Sequence, residues 1–294
     1  MRMPVVIGVD AGGSKIAARS DTRAHLLVDG DANARRIGAG AVAEKILRIV
    51  NDVANGEPVD ALFVGAAGAG DPAIAAALKA ALRRRLPCAK IGVSDDAHIA
   101  LRAAIPEGDG IVLVAGTGSI AYAEIGGRTY RCGGHGAMLG DEGSGFAIGA
   151  AAIRLALQAS DGRVRRDTLV REIEEHFGGA RWVERARASD VAGIASVAPI
   201  VMRLADAEKR SSMQIIQHAA TDLFALVKSL VEAAGAGNAE LPLVLGGSLL
   251  EQKSRLTRLL GIRLRSDLPS LRIVPQNDPA IGALAEARAL LEQP

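Results

Sequence analysis

Glycines, hydroxyls and acids are concentrated between Gly110 and Gly149, where their spacing is typical of a ligand site. The apolar run Ile111–Val114 is too short for a helix and predicts a buried strand. It ends in Gly116–Ser119, where glycines let the backbone approach a ligand and free amides and hydroxyls suit an anion, most simply a phosphate. Further glycines at Gly133–Gly136 and Gly140–Gly145 surround two acids just before a small-residue helix. The stretch therefore predicts a binding site.

A second glycine loop stands near the amino terminus. Val5–Val9 predicts a strand that ends at Asp10, and Ile16–Ala18 resumes extended structure after Gly12–Lys15. An acid at the strand end, two glycines, a hydroxyl and a lysine predict a hairpin for a magnesium–nucleotide. The loop lacks the spacing of a Walker A motif. A strand rather than a helix follows it, which argues against a Rossmann fingerprint.

Two adjacent aspartates precede the central glycine loop. Lys90–Val93 predicts a strand, and Ser94–Ala97 then caps a predicted helix over His98–Ala104. An aspartate at a helix N-cap is common, so one of the two acids has a structural explanation. The presence of a second acid ahead of a phosphate-type loop favours a catalytic carboxylate at one of these positions.

Several motifs together resemble a known family. In chain order they are DAGGSK, SDDA, VAGTGS, GGHGAMLGDEGSGFAIG and LVLGGSLL. They resemble the N-acetylglucosamine kinase and BadF/BadG-type ATPase group of the actin/hexokinase/Hsp70 superfamily. The likeness covers nearly the whole chain, its GDEGSG block is the most specific part, and it is strongest with short bacterial amino-sugar kinases.

The resemblance implies an α/β fold of two actin-like, ribonuclease H-like ATPase domains with an interdomain cleft. The N-terminal domain, 1–107, would carry the sugar side and the catalytic aspartate. The C-terminal domain, 108–294, would carry the nucleotide side, with its last helix, predicted over Ala280–Leu291, packing back on the first domain. Two strand–loop–strand units, each followed by helices, fit a duplicated ancestral domain.

The resemblance also implies roles for individual residues. By its spacing to Pro106 and the second glycine loop, Asp96 rather than Asp95 matches the catalytic base, which accepts the proton of the attacking sugar hydroxyl. Asp95 would then be a cap or a supporting partner, and Asp10 would hold Mg²⁺. Contacts with ATP are expected from Gly12, Gly13, Ser14, Lys15, Gly116, Thr117, Gly118, Gly246, Gly247 and Ser248. Contacts with the sugar are expected from Asn33, Gly68, Asp96, Thr117, Gly134 and Asp141.

Some of these residues also have ordinary structural explanations. Asn33 lies in a segment with common turn chemistry, and Gly68 lies in a strand-to-helix turn. Asp141 could be a polar cap on the helix that follows it. The role of Glu142 stays open. His135 stands where many relatives carry tryptophan, which leaves the preferred sugar open.

The implied reaction is ATP-dependent phosphorylation of an amino sugar, with Mg²⁺ as cofactor. N-acetylglucosamine to its 6-phosphate is the first expectation, and glucosamine to its 6-phosphate is the close alternative. A different class is an ATPase activator of a dehydratase or reductase, which holds an iron–sulfur cluster between subunits. Cys88 and Cys132 lie far apart in the sequence and argue against that class. A sugar-responsive regulator lacks a visible helix-turn-helix extension.

Composition limits the other possibilities. Of 294 residues, 49% are hydrophobic and only 2% aromatic, so small aliphatic side chains must fill the cores. The net charge of +2 and the few aromatics argue against nucleic-acid binding. Histidines and cysteines show no metal-ligand spacing. We see no signal peptide or membrane segment and expect a cytoplasmic homodimer. The later chain predicts helices throughout Ala150–Ala234 and another over Leu249–Leu260.

Overall fold

A computed structural model describes residues 2–13, 15–27, 32–87 and 89–292, so Ser14 and Cys88 lie outside the described residues. The strands are β1 Val6–Ala11, β2 Ile16–Arg19, β3 Ala24–Leu27, β4 Ala61–Ala66, β5 Lys90–Asp95, β6 Gly110–Ala115, β7 Ser119–Ile125, β8 Arg128–Gly133, β9 Leu241–Gly246 and β10 Leu271–Val274. The helices are α1 Ala34–Ile37, α2 Ala39–Ala54, α3 Pro72–Arg85, α4 Asp96–Ala104, α5 Gly145–Ser160, α6 Thr168–His176, α7 Trp182–Arg187, α8 Val191–Ala195, α9 Ala198–Asp206, α10 Arg210–Ala233, α11 Arg255–Asp267 and α12 Pro279–Glu292.

The chain forms two compact units. One contains Met1–Gly110 and Val274–Pro294, and the other contains Ile111–Ile273. The division into domains 1–107 and 108–294, implied by the resemblance, stays a prediction. In the described ranges no helix combines the length and the apolar character that a bilayer crossing requires.

The sheets of the two units have the same strand order. The first has the order β3-β2-β1-β4-β5, and the second, taken in the same direction, has the order β8-β7-β6-β9-β10. In the first sheet β1 pairs antiparallel with β2, the strand after the glycine loop, and in the second sheet β6 is the neighbour of β7. On their other sides β1 and β6 each pair parallel with a later strand. The expected α/β class and the repeated strand–loop–strand layout are confirmed.

The first sheet is covered on both faces, which is why β1 and β4 are buried along their whole length. One face packs on an aliphatic cluster that includes residues of α2 and α3. The other face packs on α4 and on α12, the last helix of the chain. The backbones lie very close, because a Cβ at Gly8 of β1 would be 2.1 Å from the Leu284 nitrogen of α12. The contact therefore requires glycine at residue 8.

Two predicted helix starts were wrong. The helix expected over Leu249–Leu260 begins only at Arg255, because Ser254 and Thr257 form a reciprocal capping box that fixes the start there. The helix expected over His98–Ala104 begins earlier, at Asp96.

In the second unit, the core is a single large aliphatic cluster that also contains Trp182.

Candidate functional site

Acidic side chains lie at the carboxyl ends of two strands of the first sheet. Asp10 is the fifth of the six residues of β1, and Asp95 is the last residue of β5. The intervening strand, β4, is parallel to both, and its Ala66 lies opposite Ala11 on one side and Asp95 on the other. The carboxyl edge of a parallel sheet is the usual place for a ligand in such folds.

Asp10 is a buried carboxylate near the end of β1. It is only 6% exposed. Burial raises the pKa of Asp10 from 3.8 to about 6, with Lys15 opposing the shift and Asp278 adding to it. Within the described part of the chain no hydrogen-bond donor contributes to this shift. A buried carboxylate without such compensation is costly, and a bound cation would remove that cost.

Asp95 and Asp96 are adjacent in the chain but occupy different positions at the start of α4. Asp95 is the N-cap of α4, and its Oδ1 accepts a hydrogen bond from the Ala97 nitrogen at 3.0 Å. Asp96 is the first residue of the helix. Burial of its carboxyl group raises the pKa of Asp96 well above its ordinary value, and the charge and hydrogen bond of Asp95 and the charge of Asp10 raise it further. Asp95 is therefore the cap, as expected, and the catalytic role of Asp96 stays a prediction.

The first glycine loop is a tight hairpin between β1 and β2. The Gly12 nitrogen donates to the Lys15 carbonyl at 3.0 Å, which closes the loop. Gly13 and Lys15 are exposed, and a Cβ at Gly13 would meet nothing within 4 Å. Ser14 lies outside the described residues. The expected hairpin is confirmed, and the space at the Cβ position of Gly13 is open.

Asn33 and Gly68 lie side by side in the first unit. Asn33 is the N-cap of α1, and its Oδ1 accepts a hydrogen bond from the Arg35 nitrogen at 3.0 Å. Gly68 has a φ of +83°, and a Cβ there would lie 3.0 Å from Asn33 Oδ1. Ala32, the residue before Asn33, donates its backbone N–H to the Gly12 carbonyl at 3.3 Å. The structure thus brings two predicted sugar residues next to the first glycine loop.

In the second unit the central glycine loop is joined to the start of α5. The Gly145 nitrogen donates to the Gly116 carbonyl at 2.7 Å, and the Phe146 nitrogen donates to the Thr117 carbonyl at 3.1 Å. These bonds satisfy two backbone donors of the first helical turn. The GTGS and GDEGSG motifs therefore form one hydrogen-bonded structure.

Asp141 lies against this loop and does not cap the helix. The N-cap of α5 is Ser144, whose side chain accepts from the Ala147 nitrogen. Asp141 Oδ1 accepts instead from the Gly136 nitrogen at 3.3 Å. A Cβ at Gly118 would lie only 2.8 Å from Asp141 Oδ2. Burial raises the pKa of Asp141, although backbone N–H donors oppose the shift. The alternative of a helix cap is wrong for this residue.

Gly134 follows β8 in a glycine-specific conformation. Its φ is +67°, in the left-handed region. Its carbonyl accepts a hydrogen bond from Arg131 Nη2 at 2.8 Å, and its neighbour His135 is exposed. The arginine thus fixes the orientation of the Gly134 peptide.

The Glu142 side chain is exposed, whereas its main-chain carbonyl takes part in a buried hydrogen bond. Its carbonyl accepts a hydrogen bond from the buried Ser119 hydroxyl at 2.7 Å. Burial raises the pKa of both Cys132 and Asp222, and the Glu142 carboxylate raises both further. Glu142 therefore adds negative charge to this part of the second unit.

The third glycine loop, Gly246–Ser248, is held against the end of β6. Gly247 has a φ of +86°, and a Cβ there would lie 2.4 Å from the Ala115 carbonyl oxygen. The Leu249 nitrogen donates to that carbonyl at 3.1 Å. A Cβ at Gly116 would be 3.7 Å from the exposed Ser248 hydroxyl. The second and third glycine loops are therefore neighbours.

Asp278 and β10 were not expected from the sequence. Asp278 lies just before the predicted last helix, and its charge adds to the raised pKa of Asp10, of which burial is the main cause. No local pattern could show this, because 268 positions separate the two residues. β10 is a short strand, and its sequence, Leu-Arg-Ile-Val, contains the alternation that could have predicted it.

Chemically, the first unit presents a buried carboxylate beside a glycine hairpin with a lysine, and a second carboxyl at the start of a helix. A cation, a phosphate-binding loop and a proton acceptor are the groups that phosphoryl transfer uses. The second unit presents two neighbouring glycine loops and a carboxylate against one of them.

Comparisons with known proteins agree with this chemistry. The family model described as the BadF/BadG/BcrA/BcrD ATPase family matches residues 7–287. The chain is 30% identical over 305 residues to the N-acetylmuramic acid/N-acetylglucosamine kinase of Clostridium acetobutylicum, covering 98% of this chain and 99% of that protein. It is 29% identical over 183 residues to the N-acetyl-D-glucosamine kinase of Dictyostelium discoideum, covering 59% of this chain and 57% of that protein.

A solved structure has the same fold. The crystal structure of a candidate N-acetylglucosamine kinase from Chromobacterium violaceum matches with a TM-score of 0.76 at 24% identity, covering 98% of this chain and 99% of that chain. The match to the family model spans almost all of the sequence, and the Clostridium relative is similar over its whole length. The chain therefore belongs to the BadF/BadG/BcrA/BcrD ATPase family.

Proposed function

We propose that this protein is an ATP-dependent amino-sugar kinase, with N-acetylglucosamine as the first candidate substrate and glucosamine as the second. The observation that carries the proposal is the juxtaposition of Asp96, whose pKa is raised chiefly by burial, and Asp10, whose charge raises that pKa further. Kinases named for such sugars in the comparisons support the substrate class. The 6-hydroxyl as acceptor, a cytoplasmic location and a homodimer belong to the proposal.

In the proposed mechanism the first unit supplies the base. Asp96 accepts the proton of the attacking sugar hydroxyl as that oxygen forms its bond to the γ-phosphorus of ATP. The bond from the γ-phosphorus to the bridging oxygen breaks, and ADP leaves. Asn33 and Gly68 bind sugar hydroxyls, while Gly12, Gly13, Ser14 and Lys15 bind phosphates. Phosphoryl transfer depends mainly on positioning and charge neutralisation, so a single base is sufficient.

The second unit supplies the other contacts. Gly116, Thr117 and Gly118 bind phosphates through backbone amides. Gly246, Gly247 and Ser248 bind the adenosine. Thr117, Gly134 and Asp141 bind the sugar, and Asp141 is held for this role by the Gly136 amide.

The residues of the first unit fit a magnesium ion. Mg²⁺ usually binds one or two protein carboxylates, keeps several waters and takes its remaining ligands from phosphates. A single buried carboxylate, Asp10, meets that need. The described residues contain no cluster of three or more metal-ligating side chains, so an all-protein cage for the ion is not expected among them. When bound, Mg²⁺ would neutralise charge on the β- and γ-phosphates.

The iron–sulfur activator is the competing function. Cluster ligands are cysteine thiolates, and burial, aided by the Glu142 carboxylate, raises the pKa of Cys132 and so disfavours its thiolate. The second cysteine, Cys88, lies outside the described residues. The comparisons support the kinase more than this alternative.

A coupled assay of ADP release tests the proposed function. It would use Mg-ATP with N-acetylglucosamine, glucosamine, N-acetylmuramic acid, N-acetylmannosamine and glucose, and with no sugar as the blank. We expect turnover on an amino sugar and slow ATP hydrolysis in the blank, because lid and domain closure in kinases excludes water. Steady ATP hydrolysis that no sugar changes, in a preparation that contains iron, would favour the activator.

Gly118→Ala tests the proposed sugar role of Asp141. The new Cβ would displace the Asp141 carboxylate, which lies 2.8 Å from the Cβ position. We expect the KM for the sugar to rise by about tenfold, the effect of losing roughly one charge-assisted hydrogen bond. The melting temperature should change little, because only the end of a side chain must move.

Gly116→Ala is the matched control for this prediction. Its Cβ would be 3.7 Å from the Ser248 hydroxyl, an ordinary contact. Both glycines are proposed to bind phosphate, so we expect both variants to change the KM for ATP, and only Gly118→Ala to raise the KM for the sugar. An unchanged sugar KM in Gly118→Ala would contradict the role of Asp141.

A further inference from the structure

Asp278 connects the start of α12 to the hairpin that carries the first glycine loop. Its Oδ1 accepts a hydrogen bond from the Ala280 nitrogen at 3.0 Å, which caps the helix. Its Oδ2 accepts a hydrogen bond from Arg19 Nε at 2.6 Å. Arg19 is the last residue of β2, the strand that leaves the Gly12–Lys15 loop. One carboxylate thus contacts both elements.

The packing of α12 brings this carboxylate to Asp10. α12 lies directly on β1, where Gly8 leaves no space for a side chain. Gly8 is two residues before Asp10 and lies opposite Arg19 in the β1–β2 register. Among the causes of the raised pKa of Asp10, burial comes first, Lys15 opposes it, and the Asp278 charge adds to it. Asp278 is thus a negative charge close enough to Asp10 to raise its pKa.

We propose that Asp278 is a positioning residue for the magnesium–nucleotide site, which orients the first glycine hairpin through Arg19 and increases the Mg²⁺ affinity of Asp10. The inference rests on the proposed function, because it assigns Asp10 to Mg²⁺. Asp278 does not need to touch the metal, since a carboxylate in the surrounding shell attracts a cation and orders its waters.

A purely structural role for Asp278 is the competing explanation. The Arg19–Asp278 pair is partly exposed, and pairs of that kind contribute little to stability. The chain provides an internal comparison for this question. Asp21, in the turn after β2, pairs with Arg288 of α12, so it links the same two elements. Unlike Asp278, Asp21 is not one of the main causes of the raised pKa of Asp10.

The test is a calorimetric titration of ADP into the full-length protein at a series of Mg²⁺ concentrations, without sugar. In Asp278→Asn the cap is kept, because asparagine is a good N-cap, while the charge is lost. We expect the Mg²⁺ concentration for half-maximal ADP binding to rise by about three- to tenfold, as expected for loss of one nearby charge. In Asp21→Asn it should stay at the wild-type value.

Equal values for the two variants, or no shift in Asp278→Asn, would overturn the proposal. Asp278→Ser, another capping residue without charge, must reproduce the shift and guards against a folding defect in the first variant. The readout does not depend on phosphorylation. A protein that binds Mg-ADP as expected but phosphorylates no sugar would contradict the proposed function and leave this inference standing.

Discussion

Asp96→Asn is expected to reduce kcat for the sugar by about 10²–10⁴-fold, the usual contribution of a positioned general base. Asparagine has nearly the same shape but cannot accept the proton from the attacking hydroxyl. The KM values for sugar and ATP should change little, because the side chain keeps its hydrogen-bonding atoms. Steady-state kinetics with the best amino sugar measures both effects. A variant that retains more than about a tenth of kcat would show that Asp96 is not the base.

Asp95→Asn is the matched control and makes a separate prediction for pH. The base must be ionised, so kcat/KM should rise as pH increases through the raised pKa of Asp96. Burial is the first cause of that raised pKa, and the adjacent Asp95 is the second. Removing the Asp95 charge should therefore move the acid limb of the profile to lower pH, while asparagine keeps the cap on α4. A limb that stays in place would contradict this assignment.

Asp10→Asn is expected to stabilise the metal-free protein at neutral pH and to abolish Mg²⁺-dependent nucleotide binding. Burial raises the pKa of Asp10 from 3.8 to about 6, so ionising this carboxyl costs more in the folded chain than in the unfolded chain. The protonated carboxyl adds to the free energy of unfolding. This contribution is complete below about pH 3.8 and is lost as the pH rises through about 6. The cost above that range is on the order of 3 kcal/mol.

Urea unfolding between pH 4.5 and pH 8, in the presence of a chelator, measures this difference. The wild type should lose free energy of unfolding across the window, and Asp10→Asn should lose less. The gain at pH 8 is at most about 3 kcal/mol, because the new amide must also find partners in a buried position. Asp267→Asn, at an exposed position at the end of α11, should follow the wild type. Parallel curves for wild type and Asp10→Asn would show that burial of Asp10 is not costly.

Asp10→Asn is thus expected to raise stability and to remove nucleotide binding, and opposite effects of this kind are typical of a functional site. Under the proposed function, Asp10 destabilises the empty protein and would bind a cation during function, so its removal should improve stability at the expense of activity. In the presence of Mg²⁺ and ADP, the wild type should regain stability by mass action, and Asp10→Asn should not.

Local sequence determined the strands, the glycine loops and the class of the fold. Short apolar runs that end in glycines predict strand–loop–strand hairpins from a few neighbouring residues, as at Gly12–Lys15 and Gly116–Ser119. The same pattern occurs twice, so the common strand order of the two sheets could be predicted as well. The pair Asp95 and Asp96 was visible in the sequence, but the assignment of the base to one of them needed the family resemblance.

Boundaries set by side-chain caps were the less predictable part of the local structure. Ser254 and Thr257 delay the start of α11, although Leu249 and Leu250 suggest an earlier helix. Both leucines are buried outside any helix, because the preceding glycine loop is bonded to the end of β6. Apolar periodicity reports burial, and burial alone does not distinguish a helix from a packed turn.

Only the tertiary structure decided which distant groups meet. Asp141 lies against Gly118 because two glycine segments share hydrogen bonds with the start of α5. Asp278 affects Asp10 because α12 packs on β1 at Gly8. Such contacts depend on how helices cover a sheet, and residues far apart in the chain carry no local signal for them. The sequence by itself therefore determined the chemical groups of the site, and the packing of the last helix decided the charge around its buried carboxylate.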